Sequence, residues 1–182
     1  MRKIVLTFGL ISGVLCSAMM TASVALANRT GHGSSQYLIG YTIIVLSFLL
    51  VFFGIRSYRE NVAGGTITFA RGFTVGILIT LITCVFYVVS WEIVYHYFMP
   101  DFMDKYSAQM AEKAKASGLG QAALQAKLAQ IEKMKEMYDN PFYNSAMTFM
   151  EPFPVGLAIT LISAAVLRKK QPAGQPINEP AR

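Results

Sequence analysis

Glu92, His96 and Glu151 are the residues of this sequence whose type and place could do chemistry. The two glutamates are the acids that stand within or beside long apolar blocks; the other acids lie in polar segments. A charged side chain at the middle of a bilayer costs about 2.5–3.5 kcal/mol on insertion scales, so it persists where it has a partner, water or a role. Glu92 lies eight residues before Pro100, and Glu151 lies nine residues after Phe142. At the helical rise both sit about 12–14 Å below the outer ends of their helices. Two carboxyl groups at one depth can share a proton, because like charges at close range raise one pKa. They would then titrate as one unit, and raising the pH would weaken the contact between their helices. His96 is one helical turn from Glu92 and on the same face. The three residues form a candidate intramembrane polar cluster suited to a proton or solute pathway. A plainer structural reading stands beside it. Glu92 hydrogen-bonds Tyr, Thr or Ser hydroxyls on neighbouring helices, and Glu151 lies in the headgroup zone. Two carboxylates and one histidine are too common a combination to mark a metal site, and neither metal nor cofactor is expected.

The elements that must position these residues are long apolar stretches. Only 14% of the 182 residues are charged, against about 25% in a soluble domain. The apolar residues come in blocks rather than interleaved with polar ones, which suits a bilayer. The first block, about residues 4–27, carries Gly9, Gly13, Ser17, Thr21 and Ala25 at every fourth position. That spacing lays a stripe of small residues along one helix face, where another helix can approach closely. A cleaved leader is the rival, since Arg2 and Lys3 precede the block and Ala25-Leu26-Ala27 resembles a cleavage site. The block is long enough to cross about 30 Å of hydrocarbon, and a discarded peptide needs no packing stripe; retention is the expectation. The second block covers about 37–55 and the third about 73–99, with Gly72, Gly76 and Thr80 repeating the small-residue spacing. The fourth runs over about 142–167, and Pro152 and Pro154 place a bend or a late helix start within it.

Three connecting segments differ from one another. Gly31-His32-Gly33-Ser34-Ser35 has the serine and histidine of a hydrolase, but no acid and no nucleophile elbow, and reads as a flexible loop. Residues 60–72 contain Gly64-Gly65 and the alternating Thr66-Ile67-Thr68-Phe69, a short hairpin-like or interfacial loop. Residues 101–140 hold six acids and six lysines, divided by Ser117-Gly118-Leu119-Gly120. Leu124, Leu128, Ile131 and Tyr138 fall near one helical face. This is a water-facing helical hairpin, too polar to span. The tail, 171–182, has three prolines and one aliphatic residue and is expected to be disordered. Cys16 and Cys84 lie inside apolar blocks without a CxxC pattern and read as small buried hydrophobes.

Charge orients the chain. Net charge is +6, but the bases sit at the ends of apolar blocks, not on one polar face, so nucleic acid is not a partner. Nine lysines and arginines lie in the N-terminal start, the 56–71 segment and the tail, against Arg29 alone in the first loop. The positive-inside rule puts both termini in the cytoplasm and the hairpin outside. The expectation is an all-α membrane protein: a single four-helix transmembrane domain over 1–170, with an extracytoplasmic helical hairpin between the third and fourth spans.

Particular motifs point further. Gly54-Ile55-Arg56-Ser57-Tyr58-Arg59-Glu60-Asn61 and Gly64-Gly65-Thr66-Ile67-Thr68-Phe69 resemble the bacterial membrane proteins grouped as domain of unknown function 4199 (DUF4199). Tyr87-Val88-Val89-Ser90-Trp91-Glu92 and Glu151-Pro152-Phe153-Pro154-Val155-Gly156 are similar to that family too. The resemblance covers most of the chain and implies four spans in a bacterial inner membrane. It implies no activity and carries over no catalytic residue. The residues themselves offer no paired nucleophile and base. The expected function is a non-enzymatic accessory or assembly component, with the lipid bilayer and a membrane-protein partner or second copy as its partners. The alternative is a small proton-coupled transporter or channel-like protein using Glu92 and Glu151.

Overall fold

The structure, a computed structural model, describes residues 1–30 and 34–169, and of these the side chains other than 25–30, 34–41 and 43. His32 and the tail expected to be disordered lie outside the described residues. The chain forms α1 (Arg2–Thr30), α2 (Ser34–Asn61), α3 (Phe69–Ile93), a π-helical turn (Val94–Phe98), α4 (Phe102–Ala116), α5 (Gln121–Tyr138), α6 (Pro141–Met150) and α7 (Phe153–Leu167). Among the described residues, Arg2–Val24, Phe69–Phe98 and Pro141–Leu167 are long and apolar enough to cross a membrane. The apolar part of α2 includes side chains outside the description. Two compact units arise: Met1–Phe86 with the chain from Pro152 onward, and Tyr87–Glu151.

The first unit is built on close helix approach. A Cβ on Gly9 would stand 3.0 Å from Ile82, and one on Gly13 would stand 2.7 Å from Phe86 Cγ, so α1 rests directly on α3. Ser17 Oγ donates to the Phe86 carbonyl at 3.2 Å, and Ser12 Oγ donates to the Ser47 carbonyl on α2 at 2.9 Å. A Cβ on Gly76 would meet Thr160 of α7 at 2.7 Å and Ile55 of α2 at 2.9 Å, and Gly72 lies against Ala164 and Ile55. Thr80 and Thr160, both fully buried, share a 3.0 Å hydroxyl bond. Hydrocarbon offers helices no hydrophobic reason to associate, so close packing and interhelical hydrogen bonds must do it. Cys16 and Cys84 are buried in this packing.

One end of this unit is tied by residues of the 54–69 motifs. Arg59 Nη1 donates to the Leu167 carbonyl at 3.3 Å, satisfying an acceptor left over at the end of α7. Arg59 Nη2 and Arg56 Nε both reach Glu60 Oε1, at 3.1 and 3.0 Å. The Arg56 and Arg59 guanidiniums hold the exposed Glu60 carboxyl below its ordinary value. Gly64 and Gly65 turn the chain with φ of 62° and 83°, a region costly for residues with a Cβ. The alternating stretch that follows forms no local hairpin. Ile67, which is buried, instead exchanges backbone hydrogen bonds of 3.1 and 3.0 Å with Lys169 just past α7.

In the second unit α4 and α5 lie side by side. Gly118, at φ 69°, makes the turn between them. Met103, Ala114 and Ile131 are buried there, and Lys135 Nζ meets Asp104 Oδ1 at 2.8 Å. Leu124, Leu128 and Tyr138 are half-buried beside Ile131 on the face that the periodicity marks. The fourth apolar block is not one helix. Asn140 caps α6, its Oδ1 accepting from Phe142 N at 2.9 Å and Tyr143 N at 3.4 Å, with Pro141 at the first helical position. The helix then stops at Met150, and α7 restarts at Phe153. Pro152 and Pro154 lack the N–H groups that continuation would require.

Candidate functional site: a polar ladder between α3 and α6

The second unit carries the residues singled out for chemistry. Three hydrogen bonds join the end of α3 to α6 and to Glu151 just past it. Trp91 Nε1 donates to Asn144 Oδ1 at 3.1 Å, Ser145 Oγ donates to Glu92 Oε1 at 2.8 Å, and Tyr87 OH donates to Glu151 Oε2 at 3.0 Å. The Trp91–Asn144 and Glu92–Ser145 bonds stand side by side, while Tyr87, four to five residues earlier on α3, meets Glu151, six to seven residues later in the chain, as two antiparallel helices require. Glu92 and Glu151 therefore occupy different rungs. Tyr87, the partner of Glu151, precedes Glu92 by five residues, about 7–8 Å along a helix.

His96 belongs to the Glu92 rung. Its Nδ1 stands 3.0 Å from the Glu92 carbonyl oxygen and 3.5 Å from Glu92 Oε2. The ring sits in the π-helical turn, where Met99 N reaches back five residues to the Val94 carbonyl at 3.0 Å. Apolar and aromatic content does not distinguish a π turn from an α one, so the sequence alone predicts an ordinary helix to about Met99. Among the described residues no three His, Cys, Asp or Glu side chains converge as metal ligands. The structure thus brings Glu92 and His96 together and places Glu151 elsewhere, beside Tyr87 and at the helix break.

Sequence reasoning missed the centre of this ladder, Asn144. It is 1% exposed. The indole N–H can only donate, so the amide oxygen must face Trp91. The same oxygen accepts from Thr148 Oγ1 at 3.3 Å, and Nδ2 has no protein hydrogen-bond partner. A buried Asn among Phe, Met and Thr on a capped ten-residue helix was the available signal. Around it stands an aromatic cluster: Tyr95 packs edge-on to Tyr138 at 5.7 Å and to Phe102 at 6.3 Å, and Trp91 packs edge-on to Phe102 at 5.2 Å.

Tyr138, at the end of α5, supplies a pH dependence. Burial pushes its phenol above the usual value, opposed by hydrogen bonds with Thr148 and Trp91. The folded state then holds the phenolic proton more tightly than the unfolded chain. Its contribution is constant below about pH 10 and falls as pH climbs from there through the raised folded value. Lys135, raised by its bond to Asp104, loses its contribution in the same direction, as pH rises past the ordinary lysine value. Thermal unfolding followed against pH should show the midpoint dropping above about pH 10, and Tyr138→Phe should flatten that drop. An equal drop in the variant would rule Tyr138 out as its source.

A family model described as protein of unknown function (DUF4199) matches residues 7–169. The chain belongs to this family. The DUF4199 match takes in the ladder, the Arg56–Glu60–Arg59 group and the Ile67–Lys169 bridge, so the motifs noted in the sequence now have structural places. No curated protein and no solved structure matches the chain.

Proposed function

We propose that this DUF4199 protein is a four-span inner-membrane protein with both termini in the cytoplasm, acting as a non-enzymatic accessory or assembly component. In this reading α1, α2, α3 and the α6–α7 pair cross the bilayer, and α4 and α5 stand outside it as the part offered to a membrane-protein partner. The observation that carries the non-conducting reading is the division of the acids. Each is hydrogen-bonded to a hydroxyl on the facing helix, and they lie on separate rungs instead of converging on one proton. Polar residues used this way hold helices in register in a medium that offers them no other partner.

A proton-coupled role remains the second reading because of one feature. Glu151 is exposed at the break between α6 and α7, inside a stretch apolar enough to span. Glu92→Gln and Glu151→Gln discriminate between the readings. Glutamine still accepts the hydroxyl hydrogen bond but cannot carry a proton. Proteoliposomes containing the parent and both variants are expected to show the same passive proton leak. Flux through the parent that either variant abolishes would replace the accessory reading with the coupled one.

A further inference from the structure

The first unit gathers its bases at one end. The Ile67–Lys169 bridge sets the start of α3 beside the end of α7, and Arg59 ties the end of α2 to the Leu167 carbonyl. Phe8 packs at Gly54, so Arg2 and Lys3, further back on α1, come to the same end as Arg56 and Arg59. With Arg71, Arg168 and Lys169 this makes seven bases, and Glu60 is the single acid among the described residues of the unit. They are not equivalent. Arg56 and Arg59 are engaged by Glu60 and by the Leu167 carbonyl, and are structural. Arg71, Arg168 and Lys169 have exposed side chains, one on the first turn of α3 and two just beyond α7. Exposed apolar side chains continue directly along the same helices: Phe69 on α3, Val166 and Ile162 on α7.

We propose that this end is a docking face for anionic phospholipid, with Arg71, Arg168 and Lys169 holding the headgroup phosphate and the adjoining apolar helix surfaces taking the acyl chains. The inference rests on the reading that these helices cross a bilayer. Charge complementarity selects an anionic group, and basic side chains bordering apolar helix surface select a lipid over a free ion. The fold creates the face, since its three phosphate-holding residues come from segments almost a hundred residues apart in sequence.

The test is native mass spectrometry of the full-length protein in detergent with phosphatidylglycerol, phosphatidylcholine or inorganic phosphate. Retention of phosphatidylglycerol over phosphatidylcholine is expected, with no retained inorganic phosphate. The variant Arg71→Gln/Arg168→Gln/Lys169→Gln should weaken phosphatidylglycerol binding roughly fivefold per charge, on the order of a hundredfold in all. Arg29→Gln, in the last turn of α1, should leave it unchanged. Should the triple variant not fold, Lys169→Gln alone and the parent at about 1 M salt, where the screening length falls to roughly 3 Å, give the same comparison. Equal retention of both lipids, an unaltered affinity in the charge-depleted variants, or binding of inorganic phosphate alone would overturn the proposal. Those results would leave the topology and the accessory reading untouched, because neither depends on lipid charge.

Discussion

Gly156→Ala is expected to destabilise the protein by about 1 kcal/mol, and Gly156→Leu to prevent the first unit from assembling. A Cβ at position 156 would stand 2.5 Å from Thr80 Cγ2 and 2.6 Å from Phe48 Cε1. Neither neighbour can yield cheaply. Phe48 and Thr80 are fully buried, and Thr80 is held by its hydroxyl bond to Thr160. Two effects compete in the alanine variant. Replacing glycine inside a helix gains roughly 1 kcal/mol of propensity, while forcing a methyl group into a filled contact costs about 1–3 kcal/mol. The contact is shorter than side-chain carbons tolerate, so the steric cost wins. Leucine adds three more carbons to the same space. Gly120→Ala is the control, since a Cβ there meets nothing within 4 Å. Thermal unfolding in detergent followed by circular dichroism measures all three. A Gly156→Ala protein as stable as the parent would mean that α2, α3 and α7 do not meet at this point.

Asn144→Leu is the second large effect, a loss of about 2–3 kcal/mol. It removes the amide acceptor shared by the Trp91 indole N–H and the Thr148 hydroxyl in a buried site and leaves both to the Tyr138 hydroxyl alone, at about 1–3 kcal/mol for each group left unsatisfied. Removing the unpartnered Nδ2 and adding apolar bulk return part of that. The cycle with Trp91→Phe isolates the bond. If the donor is already absent, losing the acceptor should cost less, giving a coupling of about 1 kcal/mol or more. Trp91 is the single tryptophan of the chain, so its emission in Asn144→Leu reports the same site directly. Strict additivity of the two substitutions would show that the indole and the amide do not interact.

The residues made some of this architecture readable and hid the rest for definite reasons. Apolar blocks mark the long helices because a bilayer leaves backbone groups no partner outside a helix. Gly118 between two polar helices, and Pro152 and Pro154 in the fourth block, mark breaks because their backbones impose them. The stripes at Gly9 and Gly13 and at Gly72 and Gly76 mark faces where a helix can come close, and the partners found there are Ile82, Phe86, Ala164 and Thr160. Depth along a helix is a one-dimensional property. Glu92 and Glu151 come out level when each is counted from the outer end of its own block. Pairing depends also on register, which here sets Glu92 opposite Ser145 and Glu151 opposite Tyr87. Ile67 shows the same limit. Its alternating neighbours suggest a local strand pair, yet its backbone partner, Lys169, is a hundred residues away.

Site-specific labelling tests the four-span arrangement most directly. Cys16 and Cys84 are buried, so the parent should show little background with a membrane-impermeant maleimide. Ser117, between α4 and α5, and Val62, just after α2, are both exposed and can each be replaced by cysteine. In intact cells Ser117→Cys should label, and Val62→Cys should label only after the membrane is permeabilised. The reverse pattern, or equal labelling of both positions in intact cells, would contradict a protein that places its α4–α5 pair outside and its basic end within the cytoplasm.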